Sequence, residues 1–180
     1  MDFVAFSLSG EVLSKSETGL FSSAFLIMMS SPFCSKIIRS PLEIPRVFLN
    51  VLNKETPYYK HSKEVLLAIE SGVLEGIIPT LVISEVLTGF YVDKRDKDAS
   101  GFLSAILTNK NFRVVPLSLD IAVSSATIRA NTQLKLPGAM VLATAVQLRA
   151  DFLVSNDDRF PEVHQNVSHV TSREMSERLK

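Results

Sequence analysis

Cysteine is all but missing from this chain: Cys34 stands alone among 180 residues. One thiol excludes an intramolecular disulfide framework and a cysteine-rich zinc site, and it fits a reducing compartment. Net charge is missing too, because nineteen basic residues offset nineteen acidic ones. With no global positive field to draw nucleic acid, any anionic substrate has to be attracted by a local patch. Long hydrophobic runs are absent. The longest charge-free stretch, Thr18 to Ser35, holds eighteen residues of which ten are apolar, short of the ~20 mostly apolar residues a spanning helix needs. A secretory leader is not expected, since Asp2, Glu11 and Glu17 outweigh Lys15 where a leader carries positive charge. The expectation is a cytoplasmic protein that engages no membrane. No glycine-rich phosphate loop follows any candidate strand, and His61, His164 and His169 show no metal-ligand spacing.

What remains is the make-up of an ordinary folded domain. The chain is 46% hydrophobic and 21% charged, close to the ~45–50% and ~25% of soluble domains. Its length suits one domain, with room for an extra segment. Composition shifts near residue 40: the first 40 residues carry ten serines and the remaining 140 only twelve. Within residues 1–40, Ala24 to Met29 is the one unbroken apolar run, and no sustained period surrounds it. Residues 1–40 therefore read as a poorly organised N-terminal extension, with at most a short helix around Ser22 to Met29. Residues 41–180 read as the folded domain.

From Ile44 onward, strands and helices alternate. Arg46-Val47-Phe48-Leu49 reads as a short apolar strand, and Tyr58 to Ser71 as a helix ended by Gly72. Gly76 to Pro79 is a second strand, after which Thr80 is placed to cap a helix running to about Phe90. Asp93 to Asp98 reads as a charged connector, Ala99 to Thr108 as a helix and Phe112 to Pro116 as a third strand. Ser118 opens a helix to about Asn131, and Pro137 suits the first turn of another from Gly138 to Ala150. Phe152 to Ser155 is a fourth strand, turned by Asn156-Asp157-Asp158. Strands separated by helices of this length pair in parallel through right-handed crossovers. The expected fold is α/β, a three-layer α/β/α sandwich around a short parallel sheet.

Open parallel sheets bind ligands beyond the carboxyl ends of their strands. Asn50 would follow the first strand, Glu85 lies in the helix after the second, and Asp157 follows the fourth. Such an all-oxygen set suits Mg²⁺ or Mn²⁺ better than zinc. Glu85 shares a helix face with Leu81 and Val82, so it is either a ligand or a buried structural partner. Asp157 is either a ligand or a residue that satisfies turn backbone groups.

Three segments carry a resemblance. They are Ile77-Ile78-Pro79-Thr80-Leu81-Val82-Ile83-Ser84-Glu85-Val86-Leu87, then Leu134 to Ala145 with its Leu-Pro-Gly-Ala helix start, and Leu153-Val154-Ser155-Asn156-Asp157-Asp158-Arg159-Phe160. In this order and spacing they make residues 44–167 resemble a PIN domain, the metal-dependent nuclease fold of the ribonuclease toxins in toxin–antitoxin pairs. The resemblance implies hydrolysis of RNA phosphodiesters with Mg²⁺ or Mn²⁺, a homodimer, and an antitoxin partner whose peptide crosses the cleft. Glu85 and Asp157 would be its catalytic and metal-binding acids. Asn50 would be a further metal ligand, and Ser155, Lys135 and Arg159 would be candidates for contact with substrate phosphates.

The departures concern the acids. The family's first strand ends in Asp-x-Asn-Val, whereas Val47-Phe48-Leu49 is followed by Asn50-Val51-Leu52-Asn53. Either Asn50 replaces the acid, or Asn50-Val51 is the tail of that motif with the acid lost. The chain then reaches Tyr58 as if several residues were deleted, and the acid expected at the start of the last long helix is Gly138. Four carboxylates balance one or two divalent ions; two leave the cation under-neutralised. Changes beside a metal site commonly cost ~10–100-fold, so losing two direct ligands should cost on the order of 10⁴. The expectation is a PIN-type protein with impaired or lost catalysis and weak or absent metal binding; the alternative is a non-catalytic PIN-fold binding or interaction module.

Overall fold

A computed structural model describes residues 46–52 and 54–180. The expectation for residues 1–40, including a short helix at Ser22 to Met29, lies outside the described residues. The described residues open with helix α1 (Arg46–Leu52), where a strand is expected. The reason is spacing. Val47 and Val51, like Phe48 and Leu52, lie four residues apart, one turn of a helix, and Phe48, Val51 and Leu52 are all buried. A four-residue apolar run read alone is ambiguous between the two states. Here the residues after it decide for helix.

Helix α2 (Tyr59–Glu70) buries Val65, Leu66 and Ile69 as expected. It ends at Gly72, whose φ of +79° is left-handed. The Gly72 N–H donates to Ile69 O and the Val73 N–H to Ala68 O, which together satisfy the last carbonyls of the helix. Strand β1 (Gly76–Pro79) follows and pairs in parallel with β2 (Phe112–Val115), Gly76 opposite Phe112. Gly76 has to be glycine, because a Cβ there would sit 2.7 Å from the Phe112 ring. Between these strands run α3 (Thr80–Val92) and α4 (Asp96–Thr108). Thr80 is the first helical residue of α3 rather than its cap, since the extended residue at the boundary is Pro79. The expected charged connector is partly helix as well: Asp96 and Asp98 form the first turn of α4, where carboxylates favour the helix dipole.

The second half holds α5 (Leu119–Asn131), α6 (Leu136–Gln147) and β3 (Phe152–Val154). Ser118 caps α5 as expected, its Oγ accepting from the Ile121 N–H. Helix α6 has Pro137 in its first turn and is buried nearly all round, through Gly138, Ala139, Val141, Leu142, Ala143, Thr144 and Ala145. It contacts α5, β1 and β3, and so forms the floor of the fold. Beyond the expected elements come β4 (Val163–His164), β5 (Val167–Val170) and α7 (Ser172–Arg178). Strand β5 pairs in parallel with β3 and antiparallel with β4. The architecture is the expected α/β sandwich with a short parallel sheet, but among the described residues that sheet is in two pieces, β1-β2 and β3-β5-β4.

Helix α7 closes the molecule against α2. Thr171 and Glu174 form a capping box at its start. Ser176 Oγ donates to Glu64 Oε2 and lies 3.2 Å from His61 Nδ1, so three side chains from distant parts of the chain join the two helices. The Ser176 bond holds the Glu64 carboxyl below its ordinary range.

Candidate functional site

Glu85 and Asp157 both lie beyond the carboxyl ends of strands. Glu85 is a turn and a half into α3, directly after β1, and Asp157 is in the turn after β3. Their surroundings differ. Glu85 is half-buried and its Oε2 is fully covered without a hydrogen-bond partner. Burial pushes its carboxyl up to about 7, because no neighbouring cation or donor compensates the lost solvent.

Asp157 is the opposite case. Its side chain is 6% exposed, and both oxygens are engaged by Arg159. Oδ1 accepts from the Arg159 backbone N–H at 3.1 Å and from Nε at 3.0 Å, and Oδ2 accepts from Nη2 at 3.1 Å. Three of the roughly four acceptor positions of a carboxylate are filled. The two readings of Asp157 thus meet in one residue: it does satisfy a turn N–H, and its charge is matched by a guanidinium. Ser155 Oγ accepts from the Asp157 N–H at 3.1 Å, while Ser155 O accepts from His169 Nε2 at 2.9 Å. Ser155 and His169 therefore shape the turn that presents Asp157.

Asn50 is not at a strand end. It is buried inside α1, and its Nδ2 donates to Ser62 Oγ of α2 at 3.2 Å. Its amide ties α1 to α2 in place of the carboxyl-edge position expected for it. Lys135 is exposed at the start of α6, and Gly138 lies buried one turn further on. Arg159, considered for phosphate contact, is committed to Asp157. Asn156, a turn residue by its sequence, does more than turn the chain. Its Oδ1 accepts from both the backbone N–H and the Oγ of Ser172, at 3.0 Å each, and so pins the turn to the start of α7. The Thr171-Ser172-Arg173-Glu174 pattern was the sequence signal for that helix start.

These residues do not fit a resident divalent cation. Among the described residues no group of three or more His, Cys, Asp or Glu side chains is placed to hold one. The Asp157 charge is already offset by Arg159, while the Glu85 carboxyl is raised by burial with no partner beside it.

Against this geometry the comparisons are clear. Residues 46–166 match the PIN domain family, and the chain belongs to that family. The match begins at Arg46, the first residue of α1. Among solved structures, a toxin–antitoxin complex from Klebsiella pneumoniae is similar in fold, with a TM-score of 0.55 and 24% identity. The likeness covers 71% of this chain and 93% of that one. No curated protein matches. Among the described residues, no helix is long and apolar enough to cross a membrane.

Proposed function

We propose that this chain is a PIN-domain protein related to the Mg²⁺- or Mn²⁺-dependent ribonucleases of toxin–antitoxin pairs, with RNA hydrolysis impaired or lost. One observation carries the reading: the Asp157 carboxylate is closed by Arg159, and among the described residues no group of three or more His, Cys, Asp or Glu side chains is placed to hold a cation with Glu85. A metal-activated water needs a bound cation, and Mg²⁺ is held through one or two carboxylates besides water and substrate phosphates; with Asp157 paired to Arg159, Glu85 is the acid left to supply one. The family's Asp-x-Asn-Val motif precedes a helix. With α1 as that helix, Arg46-Val47 takes the place of Asn-Val and Ile44 the place of the acid. On that register nothing is deleted before Tyr58; the first acid is replaced, as the later one is by Gly138.

An antitoxin-like protein partner belongs to the same proposal, supported by the family and by the name of the Klebsiella complex, and a homodimer and a cytoplasmic location are proposed with it on the family alone. RNA remains a candidate ligand through Lys135. A chain that keeps the fold but closes its acid with an arginine would serve as a binding module, and the Asp157–Arg159 pair favours that second reading over a slow enzyme.

Calorimetric titration of the full chain with Mn²⁺, beside a cleavage assay on single-stranded RNA, tests this. The expected outcome is binding in the millimolar range or none, and no cleavage above the metal-only control. Low-micromolar binding, with cleavage abolished by Glu85→Ala, overturns it.

A further inference from the structure

Helix α7 is fastened at two points by side chains from distant parts of the chain. At its start, the backbone N–H and the Oγ of Ser172 both donate to Asn156 Oδ1 at 3.0 Å. One turn later, Ser176 Oγ donates to Glu64 Oε2 of α2 and lies 3.2 Å from His61 Nδ1. Ser172, Met175 and Ser176 are all buried. The two anchor serines are four residues apart, on one face and about 6 Å along the axis. The capping box of Thr171 and Glu174 closes the first turn, so the seven residues of α7 behave as one piece. That piece joins α2 to the turn that holds Asp157.

The turn is tied to the same unit on its other flank. Ser155 N–H donates to Val170 O at 3.0 Å, and Ser155 O accepts from His169 Nε2 at 2.9 Å. The His169 ring also packs on Phe160, with 5.5 Å between centroids. His169 and Val170 belong to β5, which runs directly into α7. Both sides of Asp157 therefore hang on the β5–α7 segment, and the closure of Asp157 by Arg159 is made inside that frame.

We propose that α7 is a strap: its docking on α2 through Ser176 and Glu64 sets how firmly the turn holds Arg159 on Asp157. The inference rests on the reading of Asp157 as closed by Arg159, and it names what regulates that closure. Ser176 and Glu64 are then positioning residues that act on the acid through Ser172 and Asn156. A two-turn helix at the edge of a domain opens at lower free energy than the whole molecule unfolds, and whatever it anchors opens with it. Release of the Ser176 clasp therefore loosens the turn and the Asp157–Arg159 pair together, without unfolding the rest. By linkage the effect runs both ways: a turn freed of Asn156 weakens the hold of α7 on α2 by the same factor.

Native-state hydrogen exchange on the full chain in EDTA tests this, and its outcome is separate from the Mn²⁺ titration that tests the reading above. In the unsubstituted chain, the amides of Asp157 and Arg159 are expected to share one opening equilibrium with those of α7, and to respond to urea together. Ser176→Ala should raise that shared opening about 5-fold, and with it exchange at Arg159 Nε. Glu64→Ala should do the same, while Glu64→Gln, which keeps an acceptor for Ser176, should restore most of the protection. Arg173→Ala removes only the exposed pair with Glu177 and should leave the turn unchanged. A turn that opens separately from α7 in the unsubstituted chain overturns the proposal, whether or not any variant folds. So does a Ser176→Ala chain in which α7 opens more readily while Asp157 and Arg159 exchange as before.

Discussion

The two acids Glu85 and Asp157 have opposite electrostatic fates, and each makes a measurable claim. Glu85 has a carboxyl raised from 4.5 to about 7 by burial alone. Below pH 4.5 it is protonated whether the chain is folded or not, and it costs nothing. Between pH 4.5 and 7 the unfolded chain ionises first, so folding stability falls as pH rises, and above 7 the full penalty applies. One pKa unit is ~1.4 kcal/mol; discounted for the partial exposure of the side chain, the penalty is on the order of 1–2 kcal/mol. Glu85→Gln is therefore expected to stabilise the protein by that amount in urea unfolding at pH 8 and by nothing at pH 4. An equal effect at both pH values would mean that charge is not the cause. Asp157 is held the other way, by a guanidinium on both oxygens. Arg159→Ala should cost ~1–3 kcal/mol by leaving that carboxylate buried without its partner, and Mn²⁺ should raise the melting temperature of the variant more than that of the parent. A variant as stable as the parent would mean the pair contributes nothing.

At the scale of elements, close approach decides more than propensity. In β1, a Cβ on Gly76 would meet two ring carbons of Phe112 at 2.7 Å and Ile69 Cδ1 at 3.1 Å. Gly101, inside α4, has nothing within 4 Å of its Cβ position. Gly76→Ala is expected to destabilise by ~1–3 kcal/mol through overpacking, and Gly101→Ala to stabilise by ~0.5–1 kcal/mol. Thermal unfolding of the two variants side by side checks the pair, which would fail if both moved the same way. The same distinction between local and distant causes explains what the sequence made legible. Ser118, Pro137 and Gly72 announce helix ends through chemistry confined to a few neighbours, and each is found in that role. Leu153 to Phe160 carried its family motif in plain order, and the turn stands there. Arg46 to Leu49 is a helix rather than the expected strand because its helical period shows only with Val51 and Leu52, beyond the four-residue apolar run. Strands β4 and β5 are two and four residues long and are defined by pairing with β3. The Arg159 guanidinium on Asp157 is a matter of rotamer, which spacing does not specify.

For the molecule as a whole, the proposed reading makes a claim of its own: acids placed at Ile44 and Gly138 should give metal binding and RNA cleavage on the same fold. Position 138 lies in the first turn of α6, where a carboxylate gains ~0.3–1 kcal/mol from the helix dipole. Gly138→Asp with Ile44→Asp gives four acids in the family's order. The expected result is tighter Mn²⁺ binding with RNA cleavage, both removed again by Glu85→Ala. No gain in Mn²⁺ affinity would show that these positions do not converge. The junction of α2 with α7 bears on a different matter, the timing of folding during synthesis. His61 and Glu64 meet Ser176 across more than a hundred residues, and loop closure over that span comes late. A nascent chain that has made α2 but not α7 leaves His61 and Glu64 without their Ser176 partner until residues 172–178 emerge. A chain stopped before residue 172 would therefore lose more than a helix: α2 would be left without the Ser176 contact and open to chaperones and proteases.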